Sequence, residues 1–376
     1  MNYKGFVRPL IIGLALFSMF FGSGNLIFPL AVGRFSQDNF WFGALGFILT
    51  GVLVPFAGVI AMVIYKGDYM KFFSGLGKKA GFGVAILLLT FWIPLGSAPR
   101  CVTLSYAAVK TYLGGTPLWL FSLIYCSLII LLTYKRNRIL DILGGILTPV
   151  LLTCLGIVIF RAVQLSTGFG VSLHSGAETF TEGLLDGYNT MDLIASFFFA
   201  STIIAMLNEE QDRGKKITTK GGPLGLALRS SLIGVSVLGV VYLGLLFIAA
   251  THASALAGVP KDELLPTLAH MLLGPQLAAI ASMAVAVACL TTSIALVVVY
   301  ADFLAESVFK DKWHPHAYLV LTTAITFGVS NLGFQGICAL TVPAFQVFYP
   351  FLIGMIIVKV GYRLWKAKKG IQPLVS

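Results

Sequence analysis

The stretch Phe20-Phe21-Gly22-Ser23-Gly24-Asn25-Leu26-Ile27-Phe28-Pro29 lies in the middle of an apolar run from about residue 10 to residue 32. A helix crossing a membrane should avoid such a cluster. Gly costs about 1 kcal/mol in a helix interior, and Pro removes a donor and clashes with the preceding turn. Broken backbone is tolerated in hydrocarbon only where protein buries it or where it lines a cavity. A polar, small-residue break at mid-depth therefore reads as an interrupted helix that builds a binding site near the bilayer midplane. The competing reading is a Gly-rich packing face. Asn25 and Pro29 weigh against it, because close packing needs neither.

The rest of the chain supplies the membrane context. Hydrophobic residues make up 57% of its 376 residues and charged residues 11%, against about 25% charged in a soluble domain. A window of about 20 apolar residues picks out ten segments: about 9–32, 40–65, 82–112, 117–134, 140–165, 190–208, 224–252, 275–309, 316–332 and 336–363. A polar stretch, 166–189, separates the fifth from the sixth and is expected to be an external loop. Lys4 and Arg8 precede a hydrophobic stretch that is too long for a cleaved leader and has no small-residue cleavage site, so the first span is expected to serve as its own insertion signal. No linker marks a second domain, so 1–376 reads as one transmembrane unit.

The net charge of +11 resembles that of a nucleic-acid binder, but its placement gives topology instead. With an internal N-terminus and ten alternating spans, all of the 26 basic residues except Arg34, Arg100, Lys110, Arg161 and Lys261 fall on the inner side. That is the positive-inside bias. It places both termini in the cytoplasm, with lipid and no nucleic acid as the surroundings of the spans. The five cysteines, Cys101, Cys126, Cys154, Cys289 and Cys338, are scattered through apolar segments without a CxxC pair, which argues against a disulfide framework or zinc site.

Ten spans divide into five (about 9–165) and five (about 190–363). An odd number per half makes the second half inverted. The first span of each half has small and polar residues at mid-depth, the second around Ser196 and Ser201-Thr202, and such paired interruptions point to a transporter site. The expected fold is all-α, a 5+5 inverted repeat with spans one and six interrupted at mid-membrane.

The span-one motif resembles the signature of the bacterial branched-chain amino acid carriers of the BrnQ type. Ala98-Pro99-Arg100 followed by Ser105-Tyr106, the run Asp186-Gly187-Tyr188-Asn189-Thr190-Met191-Asp192, and Val329-Ser330-Asn331-Leu332-Gly333 fit the same family. The likeness extends from about residue 6 to about 360. Carriers of this kind usually continue into further C-terminal spans that this sequence lacks, a departure that concerns oligomeric contacts more than the transport core. The family is similar in turn to the LeuT-type inverted-repeat transporters. The resemblance implies Na⁺-coupled symport of Leu, Ile and Val by alternating access across a bacterial plasma (inner) membrane, with no other cofactor. An apolar pocket that separates side chains by about 1–3 kcal/mol per methylene leaves Met open as a further substrate. It leaves the oligomer undetermined.

Carried over by position, the sodium ion would be held by the Ala288 carbonyl and the Thr291 and Thr292 hydroxyls in span eight, with the carbonyls of Ser18 and Phe21 completing the shell. The geometry agrees: residues at i, i+3 and i+4 share a helix face, and the three lie about 20–25 Å along the helix from Pro275. Hydroxyls in apolar helices also bond back to their own carbonyls, the alternative role for this pair. The N–H groups of Gly22, Ser23, Gly24 and Asn25 can hold a carboxylate at the start of the second half-helix. Carbonyls around Phe198, Phe199, Ala200 and Ser201 can hold an ammonium, and Trp92, Phe197, Phe198 and Phe199 can wall an aliphatic side chain. Arg100, deep in span three, is a gate candidate with Asp192, or else a clamp on span carbonyls.

Proton coupling, or another neutral amino acid as substrate, is the nearest alternative. A membrane receptor or scaffold would not explain two interrupted spans. An enzyme would need a nucleophile–base pair or a His/Asp cluster at one depth, which the sequence does not present.

Overall fold

The computed structural model of the chain describes residues 3–134, 139–166, 168–212, 222–310 and 312–369. Among the described residues every regular element is helical. The first apolar run forms α1 (Tyr3–Phe20) and α2 (Ser23–Ser36), parted at Phe21 and Gly22. Gly22 is extended (φ −110°, ψ −164°), so the helical ladder stops there. Its N–H is taken by Asn25 Oδ1 at 3.0 Å. Pro29, inside α2, has no N–H to return to the Asn25 carbonyl.

The next runs are α3 (Phe40–Ile48) and α4 (Val54–Ile64), joined by a π turn at Leu49–Leu53, then a short helix α5 (Tyr69–Phe73). A second π turn, Ile93–Ser97, joins α6 (Lys78–Trp92) to α7 (Ala98–Val109) and accommodates Pro94, which cannot donate to the ladder. α8 (Leu118–Tyr134) and α9 (Ile139–Gln164) follow.

The stretch expected to be an external loop departs from that reading. Its second half is helix α10 (Gly176–Tyr188), opened by a capping box in which Ser175 Oγ accepts from Glu178 N–H and Glu178 Oε2 accepts from Ser175 N–H. After three residues it resumes as α11 (Asp192–Asp212). The interruption of the sixth span therefore lies at Asn189–Met191 and not around Ser196–Thr202, where α11 is continuous. Met191 makes the corner at φ 67°.

The remainder is α12 (Gly222–Thr251), α13 (Leu264–Phe303, bent at Gly274, φ 74°), α14 (Pro315–Ser330) and α15 (Gly333–Lys368). Six helices or unbroken helix runs among the described residues are long and apolar enough to cross a membrane, with four shorter apolar helices beside them. The basic clusters at 135–138 and 213–220, on which much of the expected orientation rests, lie outside the described residues.

α2 is the centre of the molecule, buried continuously from Ser23 to Gly33. It packs on α3, α10, α12 and α13. Small residues make these approaches possible. A Cβ on Gly33 would overlap the Leu246 carbonyl, and one on Gly46 or Gly183 would overlap the backbone across the α3–α10 contact. Where apolar surface is equally welcome in lipid, such close backbone contact holds helices together by van der Waals packing. At the periphery, α8 and α15 turn large apolar side chains outward, among them Trp119, Leu131, Val347 and Val358, as a lipid-facing surface requires. The two ends of the bundle are called here the Lys261 face, which also holds Arg34, and the Lys359 face, which also holds α5.

Candidate functional site

The two interruptions meet. A Cβ on Gly24 would stand 3.1 Å from Thr190 Cα and 3.3 Å from the Asn189 carbonyl oxygen. Gly24 is therefore where one broken helix touches the other, rather than the place where a ligand approaches. Gly22 is the open position: a Cβ there would meet Thr292 Cγ2 at 3.6 Å, an ordinary contact, and Gly22 is less deeply buried than Ser23, Gly24 or Asn25. The first-turn N–H groups of α2 lack helical acceptors, as at any helix start, and carry the positive end of its dipole. The last carbonyls of α1 and α10 bring the negative ends of theirs to the same depth. One junction thus offers donors for an anion and acceptors for a cation.

Side chains close the sixth-span break more fully than the first. Thr190 Oγ1 donates to the Gly187 carbonyl at 2.9 Å, Asn189 Nδ2 to Asp186 Oδ1 at 3.0 Å, and Leu193 N–H to Tyr349 Oη at 3.3 Å. Arg100, wholly buried, donates from Nη1 to the Asn189 carbonyl at 2.8 Å and from Nη2 to Thr341 Oγ1 at 2.6 Å. Its guanidinium lies 5.3 Å from the Phe28 ring centroid and 6.0 Å from that of Phe345. Arg100 is a clamp on the end of α10. The expected pairing with Asp192 does not occur.

Asp192 has other partners. Asn25 Nδ2 donates to its two oxygens at 3.0 and 2.9 Å, and Tyr242 Oη donates to Oδ2 at 2.7 Å. Asn25 Nδ2 also contacts Tyr242 Oη. An acid 1% exposed thus stands directly behind the span-one break, where the sequence reading matched a ligand's ends by dipoles alone. It ties α2, α11 and α12 together.

The aromatic wall divides. Phe198 stacks on Trp92 at 5.7 Å, and Phe199 meets Trp92 at 5.3 Å and Phe20 at 5.6 Å. Those four form one cluster beside the end of α1. Phe197 points elsewhere, onto Phe72 and Phe73 at 5.1 and 5.5 Å. The carbonyls proposed to hold an ammonium are in continuous helix: Phe197 accepts from Ser201 Oγ at 2.7 Å and Phe198 from Thr202 Oγ1 at 3.0 Å. Phe198 to Ser201 lie about 10–15 Å along α11 from the break, too far to share a small ligand's polar head with Gly22. Ala200 and Ser201 are packed as helix interior.

On α13, Thr291 Oγ1 and Thr292 Oγ1 both donate to the Ala288 carbonyl, at 2.8 and 3.0 Å. Three oxygens thereby converge on one face, and Thr292 borders Gly22. Each hydroxyl keeps lone pairs free. α1 ends at Phe20, with Phe21 N–H still bonded to the Phe17 carbonyl at 2.8 Å, so the Phe21 carbonyl is outside the ladder. The donor set is all neutral oxygen, which suits a hard monovalent cation.

The two ends of the bundle differ. Toward the Lys261 face, a cavity of about 400 Å³ is lined by Phe28, Asp186, Asn189, Lys261, Cys338 and Gln346, among others. Lys261 Nζ reaches across it to Asp186 Oδ2 at 3.1 Å. Toward the Lys359 face the path is packed: Tyr69 meets Phe198 at 4.9 Å, and α5 is seated on Phe197. Burial, with the Glu306 and Asp68 carboxylates nearby, raises the Tyr69 phenol above its ordinary range, so it stays neutral in this plug. Lys359 on α15 reaches the Phe72 carbonyl at the end of α5.

Three features escaped the sequence reading. Tyr242 had a signal, a lone phenol amid Val, Leu and Gly at mid-span, which demands a partner when buried. The Ser175–Glu178 box announced α10. Lys261 carried none, since its loop is brought over the cavity only by the fold.

Comparison with known proteins places these features. The model of a family described as branched-chain amino acid transport protein matches residues 7–375. The branched-chain amino acid permease BraB of Bacillus subtilis is 29% identical, over 96% of this chain and 81% of the relative. The branched-chain amino acid transport system 2 carrier protein of Pseudomonas aeruginosa is 27% identical, over 97% and 83%. Among solved structures, the inward-facing conformation of Mhp1 superposes with a TM-score of 0.65 at 15% identity, covering 96% of this chain and 77% of that one. The same protein in a closed conformation with bromovinylhydantoin bound, described as a nucleobase-cation-symport-1 family transporter, gives 0.64 at 15% identity, over 94% and 78%. The architecture is accordingly LeuT-like.

Proposed function

This chain belongs to the family of branched-chain amino acid transport proteins, and from that premise we propose that it is a secondary transporter coupling the movement of Leu, Ile and Val into the cell to Na⁺. The observation that carries the reading is the contact of the two helix breaks at Gly24 and Thr190, which sets the donors of α2 opposite the acceptors of α1 and α10 at one depth. A zwitterion is the ligand that such a junction fits. Its carboxylate takes the first-turn N–H groups of α2 around Gly22 to Asn25. Its ammonium takes carbonyls at the ends of α1 and α10, in place of the Phe198–Ser201 carbonyls. Its side chain turns to Phe20, Trp92, Phe198 and Phe199. An apolar wall separates aliphatic side chains by only about 1–3 kcal/mol per methylene, so Leu, Ile and Val share the site.

For the ion, Ala288, Thr291 and Thr292 face the end of α1, with the Phe21 and Ser18 carbonyls as the remaining ligands. A cation there would bridge the unwound segment to α13 and favour the substrate-binding arrangement. The arrangement seen, with a cavity on the Lys261 face and aromatic packing on the other, is the outward-open or outward-occluded half of an alternating-access cycle if the Lys261 face is external. Lys261 and Asp186 then take the outer-gate role assigned from sequence to Arg100 and Asp192.

Uptake of labelled leucine into proteoliposomes, with and without an inward Na⁺ gradient, tests the whole reading. Gradient-driven accumulation is expected; accumulation driven only by a proton gradient would move the coupling to H⁺. Leucine binding titrated against Na⁺ for Thr292→Val tests the ion site. Loss of one oxygen ligand, on the order of 1–3 kcal/mol, shifts the Na⁺ dependence by roughly ten-fold or more. Superimposable curves for variant and parent would remove Thr292 from the mechanism.

A further inference from the structure

We propose that Asn25, Asp192 and Tyr242 form a latch on the span-one break, closed when Asp192 is ionised and loosened when it is protonated. The proposal rests on the reading that the substrate carboxylate binds at this break.

The hydrogen bonds fix the amide of Asn25 in one sense. Its oxygen accepts from Gly22 N–H at 3.0 Å, and its nitrogen faces both carboxylate oxygens of Asp192. An ionised carboxylate only accepts, so it draws the amide nitrogen of Asn25 and the hydroxyl of Tyr242 toward itself. The amide oxygen is thereby turned onto Gly22 N–H. That N–H is the one at the open position of the break, so the closed latch occupies a donor that a substrate carboxylate would use.

A proton taken from solvent by Asp192 changes this. The acid must then donate one hydrogen, Tyr242 has to receive it or turn away, and the bond to Asn25 loses its charge assistance, roughly half its strength. Asn25 can then release Gly22. Among the described residues, the hydrogen bonds to the Asp192 carboxylate come from uncharged groups. Across from it, α12 contributes Tyr242 and α15 contributes Tyr349, whose hydroxyl accepts from Leu193 N–H. Arg100 on α7 is held by Asn189 and Thr341, and Asp186 on α10 by Lys261 and Asn189. α4 and the turn Leu49–Leu53 carry no titratable side chain.

By reciprocity, leucine binding and protonation of Asp192 must favour each other. The test is leucine binding to the purified full chain at fixed, saturating Na⁺ over a range of pH, for the parent, Asp192→Asn and Tyr242→Phe. In the parent the Kd is expected to rise with pH, approaching ten-fold per unit beyond a midpoint. Asp192→Asn, which cannot ionise, should bind with a Kd flat in pH. Tyr242→Phe removes one donor to the ionised form and should move the midpoint up by about one pH unit or more, a shift that a merely structural hydroxyl would not produce. A parental slope in Asp192→Asn, or an unmoved midpoint in Tyr242→Phe, overturns the latch. Leucine binding in the parent that does not change with pH overturns it as well, while leaving the transport reading in place. Absence of leucine binding in the parent at every pH overturns the transport reading and the latch with it.

Discussion

The two helix breaks meet at one depth, yet they are built in opposite ways. The first, at Phe21 and Gly22, is made by removing side chains: Gly22 leaves backbone open, Gly24 lets the second break approach, and one amide, Asn25, covers one N–H. The second, at Asn189–Met191, is made by adding them. Thr190, Asn189, Arg100 and Tyr349 each satisfy a backbone or carboxylate group there. Backbone polarity left open in a membrane is costly, so the open break is the one we propose for the ligand. The closed one serves as a joint that holds its partner in place.

That contrast can be broken most severely at the contact itself. Gly24→Leu places a side chain into Thr190 and Asn189, so it should separate the breaks and abolish uptake together with a large loss of thermal stability in detergent. A stable, transporting variant would show that the breaks need not touch. The next effect is that of Arg100→Met. It leaves the Asn189 carbonyl buried without its cationic donor, at a cost of about 1–3 kcal/mol, and should lower the melting temperature by several degrees before any effect on Na⁺ dependence.

A smaller and cleaner change is Gly22→Ala. The space for a methyl exists beside Thr292, so folding should be kept while leucine affinity falls about ten-fold as the carboxylate loses its close approach. Parental affinity would place the ligand elsewhere. Ser201→Ala should do least. Among the described residues its hydroxyl bonds its own helix carbonyl and Met62 Sδ, and the expected change is within about 0.5 kcal/mol in stability, with uptake unaltered. A loss of uptake would restore the reading that puts the ammonium near Phe198–Ser201.

The same contrast explains what could be read from sequence. A break made of glycine, asparagine and proline is written locally, and the first one fell where its residues indicated, at Gly22. A break made of long-range bonds is not. Nothing near Asn189 announces that Arg100, about ninety residues earlier, will reach its carbonyl, and a polar run before an apolar one looks like a loop end. Ser196 and Ser201-Thr202 drew the reading inward because polarity was sought within the hydrophobic window. Depth was legible for Arg100, Asp192 and Trp92; partners were not, because each partner lies on another helix. The all-α membrane architecture was legible throughout, since it depends on segment length and composition alone.

The position of bound leucine, in a structure determined with leucine and Na⁺, tests the central claim most directly. The account predicts the carboxylate within hydrogen-bonding distance of first-turn N–H groups of α2 around Gly22, with the ammonium on carbonyls at the ends of α1 and α10. Leucine held instead in the cavity between Lys261 and Asp186, with the span-one break still closed by Asn25, would contradict it.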